Sequence, residues 1–274
     1  MSMEPFIAAK APRLLVLDFD GVVCDGRPEY FETAWRTYRR VVPAAPATPP
    51  PHVAALFGEL RSEIETGWEF PILVHALLAG VAKDDIQQRW PQIRDDLAAR
   101  ERLDREMLKA SVDQVRNEWI HADLDDWLAH HRFYDGVIER LKGWRRGGLE
   151  IAVASTKETR FLRTLLERQG LTFPEADVIG RESPQRRKHE VLRDLADIHG
   201  LPAGGDGLWF VEDRVETLEE VAAQPELSSV RLFLADWGYI TSAHRARARG
   251  AARIELLSLT QFTGDFSDFG SGGS

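Results

Sequence analysis

Two carboxylates stand two residues apart at the end of a short apolar run, in Leu14-Leu-Val-Leu-Asp18-Phe-Asp20-Gly21. Side chains two apart on a strand share a face, and a glycine permits the backbone turn that gathers both around one site. In open α/β sheets ligands bind in the crevice beyond the carboxyl ends of the strands, so both acids arrive where chemistry is expected. The plainer reading is an acidic turn that merely ends a strand. Asp-x-Asp-Gly arises by chance only about 0.07 times in a chain of this length and average composition, which weakens that reading.

Such a pair needs a sheet to present it. Apolar, partly β-branched runs recur at 14–17, 151–154, 208–211, 230–234 and 254–257, and these read as short buried strands. Helical spacing links Val137, Ile138, Leu141 and Trp144, then Phe161, Leu162, Leu165 and Leu166, then Val191, Leu192, Leu195 and Ile198. Gly170 and Gly200 stand where left-handed caps would stop the second and third of these helices. Strands alternating with helices predict right-handed crossovers and an α/β fold: a Rossmann-like, three-layer core with a mostly parallel sheet.

Residues 26–131 read differently. Val53, Leu56, Phe57, Leu60 and Ile64, then Ile86, Trp90, Ile93 and Leu97, then Leu103, Met107, Leu108, Val112, Val115 and Trp119 form helical stripes without convincing strands. The proline-rich piece 43–51 reads as an extended, non-helical connection. The expected organisation is therefore a catalytic core made of 1–25 and 132–274, with an all-helical cap of 106 residues, 26–131, inserted after the first strand. The C-terminal Gly-Ser-Gly-Gly-Ser reads as a flexible tail.

The 274 residues allow one to two domains, and 43% hydrophobic with 29% charged residues is an ordinary globular balance that excludes a mainly disordered chain. A net charge of −9 lacks the basic footprint that phosphate backbones attract, so nucleic acid is not expected as a partner. Cys24 is the sole cysteine, which rules out an intrachain disulfide. No basic leader precedes the first apolar run, and the apolar stretch 71–82 is interrupted by His75 and falls short of the roughly 20 residues of a membrane helix. We expect a soluble, cytoplasmic protein with no membrane partner.

With its opening motif Asp18-Phe-Asp20-Gly21-Val22 after a buried strand, the chain resembles the haloacid dehalogenase superfamily, and within it the phosphoglycolate phosphatase and β-phosphoglucomutase-like subgroup with a helical cap. The resemblance extends from about residue 12 to the last strand near Leu257 and implies three further stations. Ser155, with Thr156, ends the strand 151–154, where a hydroxyl and backbone N–H groups suit a phosphate oxygen. Ser155 with Glu158 also reads as a helix capping box. Lys188, in Arg186-Arg-Lys188-His-Glu, stands near a helix start, where an ammonium would neutralise a nucleophilic carboxylate and a bound phosphate. Glu212-Asp213 follows the strand 208–211; Asp213 would join Asp18 and Asp20 in holding Mg²⁺, Asp20 through its backbone carbonyl. Many relatives carry another acid four residues after that Asp, where this chain has Thr217, which shifts support of the metal or its waters to Glu212. Phe133-Tyr-Asp-Gly136-Val resembles the family's return from cap to core.

The resemblance implies that Asp18 attacks phosphorus, that Asp20 acts as general acid and then general base, and that the substrate is a small phosphorylated metabolite. Asp20 disfavours dehalogenation, because dehalogenating relatives lack an acid there. Phosphonate cleavage needs a cap lysine, and Lys83 and Lys109 stand in charged surroundings. A sugar-phosphate mutase on the same core residues, and a catalytically idle phosphate-binding regulatory module, remain alternatives. Arg61, in Gly58-Glu-Leu-Arg61, loosely resembles a substrate-facing Gly-x-x-Arg and is the candidate for specificity; its plainer reading is an arginine on an amphipathic helix beside Leu60 and near Glu65.

Overall fold

A computed structural model describes residues 11–64, 66–181 and 186–270. Glu65 and the tail residues 271–274 lie outside the described residues, as does the segment 1–10 in which no leader was read. The chain divides into two compact units, one formed by Met1–Asp25 with Phe133–Ser274 and the other by Gly26–Arg132.

In chain order the first unit opens with β1 (Leu14–Leu17) and the two-residue β2 (Cys24–Asp25). The second unit holds α1 (Arg27–Val41), α2 (Pro51–Glu59), α3 (Phe70–Leu78), α4 (Lys83–Arg100), α5 (Arg105–Ala122) and α6 (Leu124–Ala129). After β3 (Arg132–Phe133), the first unit continues with α7 (Val137–Arg146), β4 (Glu150–Ala154), α8 (Thr159–Arg168), β5 (Val178–Ile179), α9 (Lys188–Ile198), β6 (Leu208–Glu212), α10 (Val215–Ala222), β7 (Arg231–Ala235), α11 (Ser242–Gly250), β8 (Ile254–Leu257) and α12 (Leu259–Thr263).

The six-stranded sheet runs β5-β4-β1-β6-β7-β8, and its strands are parallel throughout. Both of its faces are covered, which is why its strands are apolar on consecutive positions rather than alternating. Leu14, Val16, Phe210, Leu232 and Leu234 pack against Val191, Leu192 and Leu195 of α9 and Val215, Leu218 and Val221 of α10. The pleat turns Trp209 and Phe233 to the other face. There they meet Phe269, while Trp144 of α7 stacks on Phe266 at 4.6 Å and meets Phe262 of α12 edge-on at 5.2 Å. Helices, sheet and helices form three layers, the doubly covered α/β core expected from the alternation.

Strand β5 escapes a periodicity reading because it is only two residues long. Gly170 and Gly200 adopt φ of +73° and +57°, the left-handed conformation foreseen for helix stops. In the second unit α1 packs on α3 and α5. Its apolar stripe joins Tyr30 to Phe70 and, through Phe31, reaches Phe57 of α2. One expectation needs correction there. The proline-rich connection ends at Pro50, because Pro51 occupies the first turn of α2, where a missing N–H costs nothing. The helical stripe Ile86, Trp90, Ile93, Leu97 lies in α4 as read, with one kink at Arg89 (φ −140°, ψ 25°) beside Pro91. No helix among the described residues is long and apolar enough to cross a membrane; α3, the apolar stretch around His75, is nine residues long.

Candidate active site

Three adjacent strands end level with one another. Leu17 of β1 is in register with Val153 of β4 and Val211 of β6, so Asp18, Ser155 and Asp213 leave the sheet side by side on its carboxyl rim. Asp18 stays tied to that rim, its N–H donating to the Val211 carbonyl at 2.9 Å. The chain then turns sharply: Gly21 has φ +87°, and the N–H groups of Val23 and Cys24 both return to the Phe19 carbonyl at 2.9 Å.

Lys188, the first residue of α9, donates from Nζ to Asp18 Oδ1 at 2.6 Å and also to the Ala154 carbonyl, and lies 3.3 Å from Glu212 Oε2. One ammonium thus joins the ends of β1, β4 and β6. Asp18, Glu212 and Asp213 bring carboxylate oxygens within 4.8 Å of one another, a grouping able to hold a metal ion. Glu212 is thus one of the three carboxylates in that group. Its Oε1 accepts from the N–H groups of Asp213 and Arg214 at 3.1 and 3.2 Å.

The electrostatics follow from burial. Loss of solvent, together with Glu212's charge, pushes the Asp18 carboxyl from its ordinary 3.8 up to about 7, although Lys188 pulls it down. Asp213 is pushed well above the usual carboxylate range by burial, then by Glu212 and Asp18, against the Tyr239 N–H that favours its charge. Burial also disfavours the Lys188 ammonium, but Asp18 and Glu212 outweigh it and raise its pKa. Three crowded carboxylates facing a single shared ammonium form a hard-oxygen set with excess negative charge, which is the donor chemistry a divalent cation such as Mg²⁺ fits.

Asp20 faces a different partner, Lys157, whose Nζ lies 3.4 Å from Oδ2. Asp20 Oδ1 is buried with no hydrogen-bond partner among the described residues. Ser155 is buried, and its Oγ accepts from the Lys157 N–H at 3.2 Å, while Thr156 is exposed. This corrects the capping-box alternative: α8 starts at Thr159 with Glu158 as its N-cap, so Ser155 lies before the helix and folds its own loop. That loop is pinned by β5 together with Gly180 and Arg181. Ser155 N–H donates to the Ile179 carbonyl, Arg181 N–H to the Lys157 carbonyl, and a Cβ on Gly180 would come within 2.5 Å of that same carbonyl.

Two contributors escaped the sequence reading. Lys157 directly follows Ser155-Thr156, but its partner Asp20 is 137 residues away in the chain. Tyr239 reaches Asp213 Oδ2 through its backbone N–H at 2.9 Å, a contact that its side-chain type does not encode. Arg61 belongs to the helical unit, in a single 3₁₀ turn after α2 rather than on an amphipathic helix. Its guanidinium lies 4.8 Å above the Tyr30 ring and donates to the Ile64 carbonyl at 2.8 Å. Lys83 is half-buried and paired with Glu59 at 2.6 Å, which agrees with its charged surroundings.

A parallel α/β sheet thus carries an Asp-x-Asp-Gly turn, a helix-start lysine and an acid pair on one rim. A family model described as haloacid dehalogenase-like hydrolase matches residues 12–221, and the chain belongs to that family. Among solved structures it is similar to a predicted phosphatase from Clostridium acetobutylicum, with 14% identity, TM-score 0.59, and 93% of this chain and 97% of that chain covered. It also resembles a predicted phosphoglycolate phosphatase from Haemophilus somnus (15%, TM-score 0.54, 84% and 88% covered). A third similar structure is a haloacid dehalogenase-like protein of unknown function from Agrobacterium tumefaciens (17%, TM-score 0.56, 92% and 95% covered). No curated protein matches the chain in sequence.

Proposed function

We propose that the chain is a Mg²⁺-dependent phosphatase that hydrolyses a small phosphorylated metabolite through an aspartyl-phosphate on Asp18. The observation that carries this reading is the Asp18 carboxylate, held at 2.6 Å by Lys188 on the rim it shares with Ser155 and Asp213. An Asp18 oxygen forms a bond to phosphorus as the bond to the leaving oxygen breaks, and Asp20 delivers the proton that the departing alcohol takes. In the second step Asp20 removes a proton from water, the water oxygen attacks phosphorus, and Asp18 leaves as a carboxylate. Splitting one displacement into two lets the same acid serve in both directions.

Lys188 and the Ser155–Thr156 loop offset the phosphoryl oxygens' charge, while the buried position of Asp213 and Glu212 keeps water from screening them. Asp18, the Asp20 backbone carbonyl and Asp213 would hold Mg²⁺, with Glu212 beside them. When bound, the cation supplies the positive charge that lets a carboxylate and a phosphate approach. Asp20 Oδ1, buried and unpartnered among the described residues, is an oxygen suited to the leaving group's proton. The test is phosphate release from a generic aryl phosphate and from a panel of phosphorylated metabolites, with Mg²⁺ and with excess chelator. Chelator-sensitive release of phosphate is expected. Intermolecular or intramolecular phosphoryl transfer without net release would favour the mutase alternative, and absence of any turnover would favour the idle module.

A further inference from the structure

The loop after β7 does something the fourth station does not account for. Asp213 lies in a slot walled by two glycines. A Cβ on Gly21 would stand 2.0 Å from Asp213 Oδ2, and a Cβ on Gly238 would stand 2.4 Å from Asp213 Cβ and 2.6 Å from the Gly21 carbonyl oxygen. Gly238's two neighbours cannot swing away like the far end of a flexible chain, since one is a backbone oxygen and the other the root of a buried side chain. The same loop holds Asp213 by a bond as well as by shape, through the Tyr239 N–H to Oδ2 at 2.9 Å. It is fastened to the Asp18–Gly21 turn too: Trp237 Nε1 donates to the Val22 carbonyl at 3.0 Å.

We propose that Trp237, Gly238 and Tyr239 form a positioning clamp that fixes the Asp213 carboxylate against the Gly21 turn and thereby sets the affinity of the site for a divalent cation. The physical reason is that a carboxylate orients freely about two side-chain torsions, whereas a metal requires its oxygens at fixed directions; groups that bond and orient a ligand typically change metal affinity 10- to 100-fold when removed, about the range expected here. The clamp couples two elements that each carry part of the site, the β1 turn and the end of β6. Its residues are positioning residues, since they act through Asp213 and the Gly21–Val22 backbone. The inference rests on the reading of Asp18, the Asp20 backbone carbonyl and Asp213, with Glu212 beside them, as a Mg²⁺ site.

Calorimetric titration of the purified full chain with Mg²⁺ tests it without relying on turnover, using wild type, Gly238→Ala, Trp237→Phe and Asp213→Asn, with thermal melts of each metal-free protein. Gly238→Ala is expected to bind Mg²⁺ about tenfold or more weakly, because its methyl displaces Asp213 or the Gly21 carbonyl. Trp237→Phe, which keeps an aromatic ring and removes the N–H, is expected to bind a few-fold more weakly and keeps the test valid where Gly238→Ala does not fold. In turnover assays the loss should lie in the Mg²⁺ concentration needed, with kcat recovering at saturation, a split that a general folding defect would not produce. Wild-type Mg²⁺ affinity in both loop variants, with binding lost in Asp213→Asn, overturns the clamp while leaving the metal site standing. Undiminished binding in Asp213→Asn overturns the metal site itself, and the clamp's stated effect with it.

Discussion

Glu29 in the helical unit and Asp18 in the core unit are both carboxylates withdrawn from water, and their surroundings balance charge in opposite ways. Glu29 Oε1 accepts from Arg116 Nε at 2.7 Å, Thr33 Oγ1 at 2.8 Å and Trp127 Nε1 at 3.2 Å, and Oε2 accepts from Arg116 Nη2 at 3.3 Å. Glu69 in the same unit is served by Thr66, Trp90 Nε1 and Arg94. Burial opposes the Arg116 charge, yet Glu29 outweighs it and holds the guanidinium above its ordinary pKa. Asp18 shares one ammonium with Glu212, and burial, then Glu212's charge, disfavours its own. A satisfied buried acid stabilises a fold. A crowded, under-compensated one stores unfavourable energy that a bound cation or substrate releases, the pattern found where pKa values are shifted for function.

Asp18→Asn separates the two most sharply. Activity of the folded variant is expected to fall on the order of 10⁴-fold or more, as for removal of other nucleophiles. The metal-free variant should nevertheless melt above wild type at pH 7.5, because a charge disfavoured by burial and by Glu212 has been removed. A thermal melt in chelator beside a phosphatase assay reads both, and a lower melting temperature than wild type would erase the contrast with Glu29. Asp20→Asn comes next. With its backbone carbonyl intact it should bind Mg²⁺ as wild type does, while kcat drops by about 10²- to 10⁴-fold.

Arg116→Met attacks the satisfied side. Removing one member of a buried hydrogen-bonded ion pair leaves Glu29 uncompensated and should cost about 3–5 kcal/mol in urea unfolding. Mg²⁺ affinity of the folded variant should stay unchanged; a parallel loss of Mg²⁺ binding would show that the two acidic sites are not independent.

The smallest effect is the pH dependence of the metal-free core. An acid whose pKa is higher folded than unfolded binds more protons in the native state, so its contribution to stability is full below 3.8 and is lost as pH rises towards about 7. Asp213 adds in the same direction. Mg²⁺ bound beside them would offset these charges, so its stabilisation should be greater at pH 8 than at pH 5, reaching about 2.7 kcal/mol at a hundredfold excess over Kd. Melting curves at both pH values, with Mg²⁺ and with chelator, check this; equal stabilisation at the two would place the cation elsewhere.

How much of this was visible in the sequence depended on how local each signal was. β1, β4, β6, β7 and β8 were legible to within a residue or so at each end, because a doubly covered parallel sheet demands consecutive apolar residues such as Leu14–Leu17. Asp18, Asp20, Ser155, Lys188 and Asp213 were legible because each sits at a strand end or helix start in a recognisable order. Two-residue β5 carries too few residues for any period, yet it sets the Ser155 loop through the Ile179 carbonyl. The start of α8 was not legible, because Ser155 and Glu158 also satisfy a capping pattern, whereas tertiary bonds from the Gly180–Arg181 segment hold residues 155–157 out of the helix. Tyr239 acts through its backbone N–H and Gly238 through the lack of a side chain, so neither residue type could announce its role. Glu212's place in the carboxylate group follows from register between β1 and β6, which only the assembled sheet supplies.

A covalent phosphate on Asp18 is the step on which the proposed reaction turns. Acid quenching during turnover of an aryl phosphate, followed by borohydride reduction, converts an aspartyl-phosphate to homoserine at the modified position, and peptide mass spectrometry locates it. Homoserine is expected at residue 18 in wild type, in greater yield in Asp20→Asn, whose second step is slowed, and none in Asp18→Asn. Steady phosphate release with residue 18 recovered only as aspartate under those conditions, or homoserine at another aspartate, would contradict the covalent mechanism.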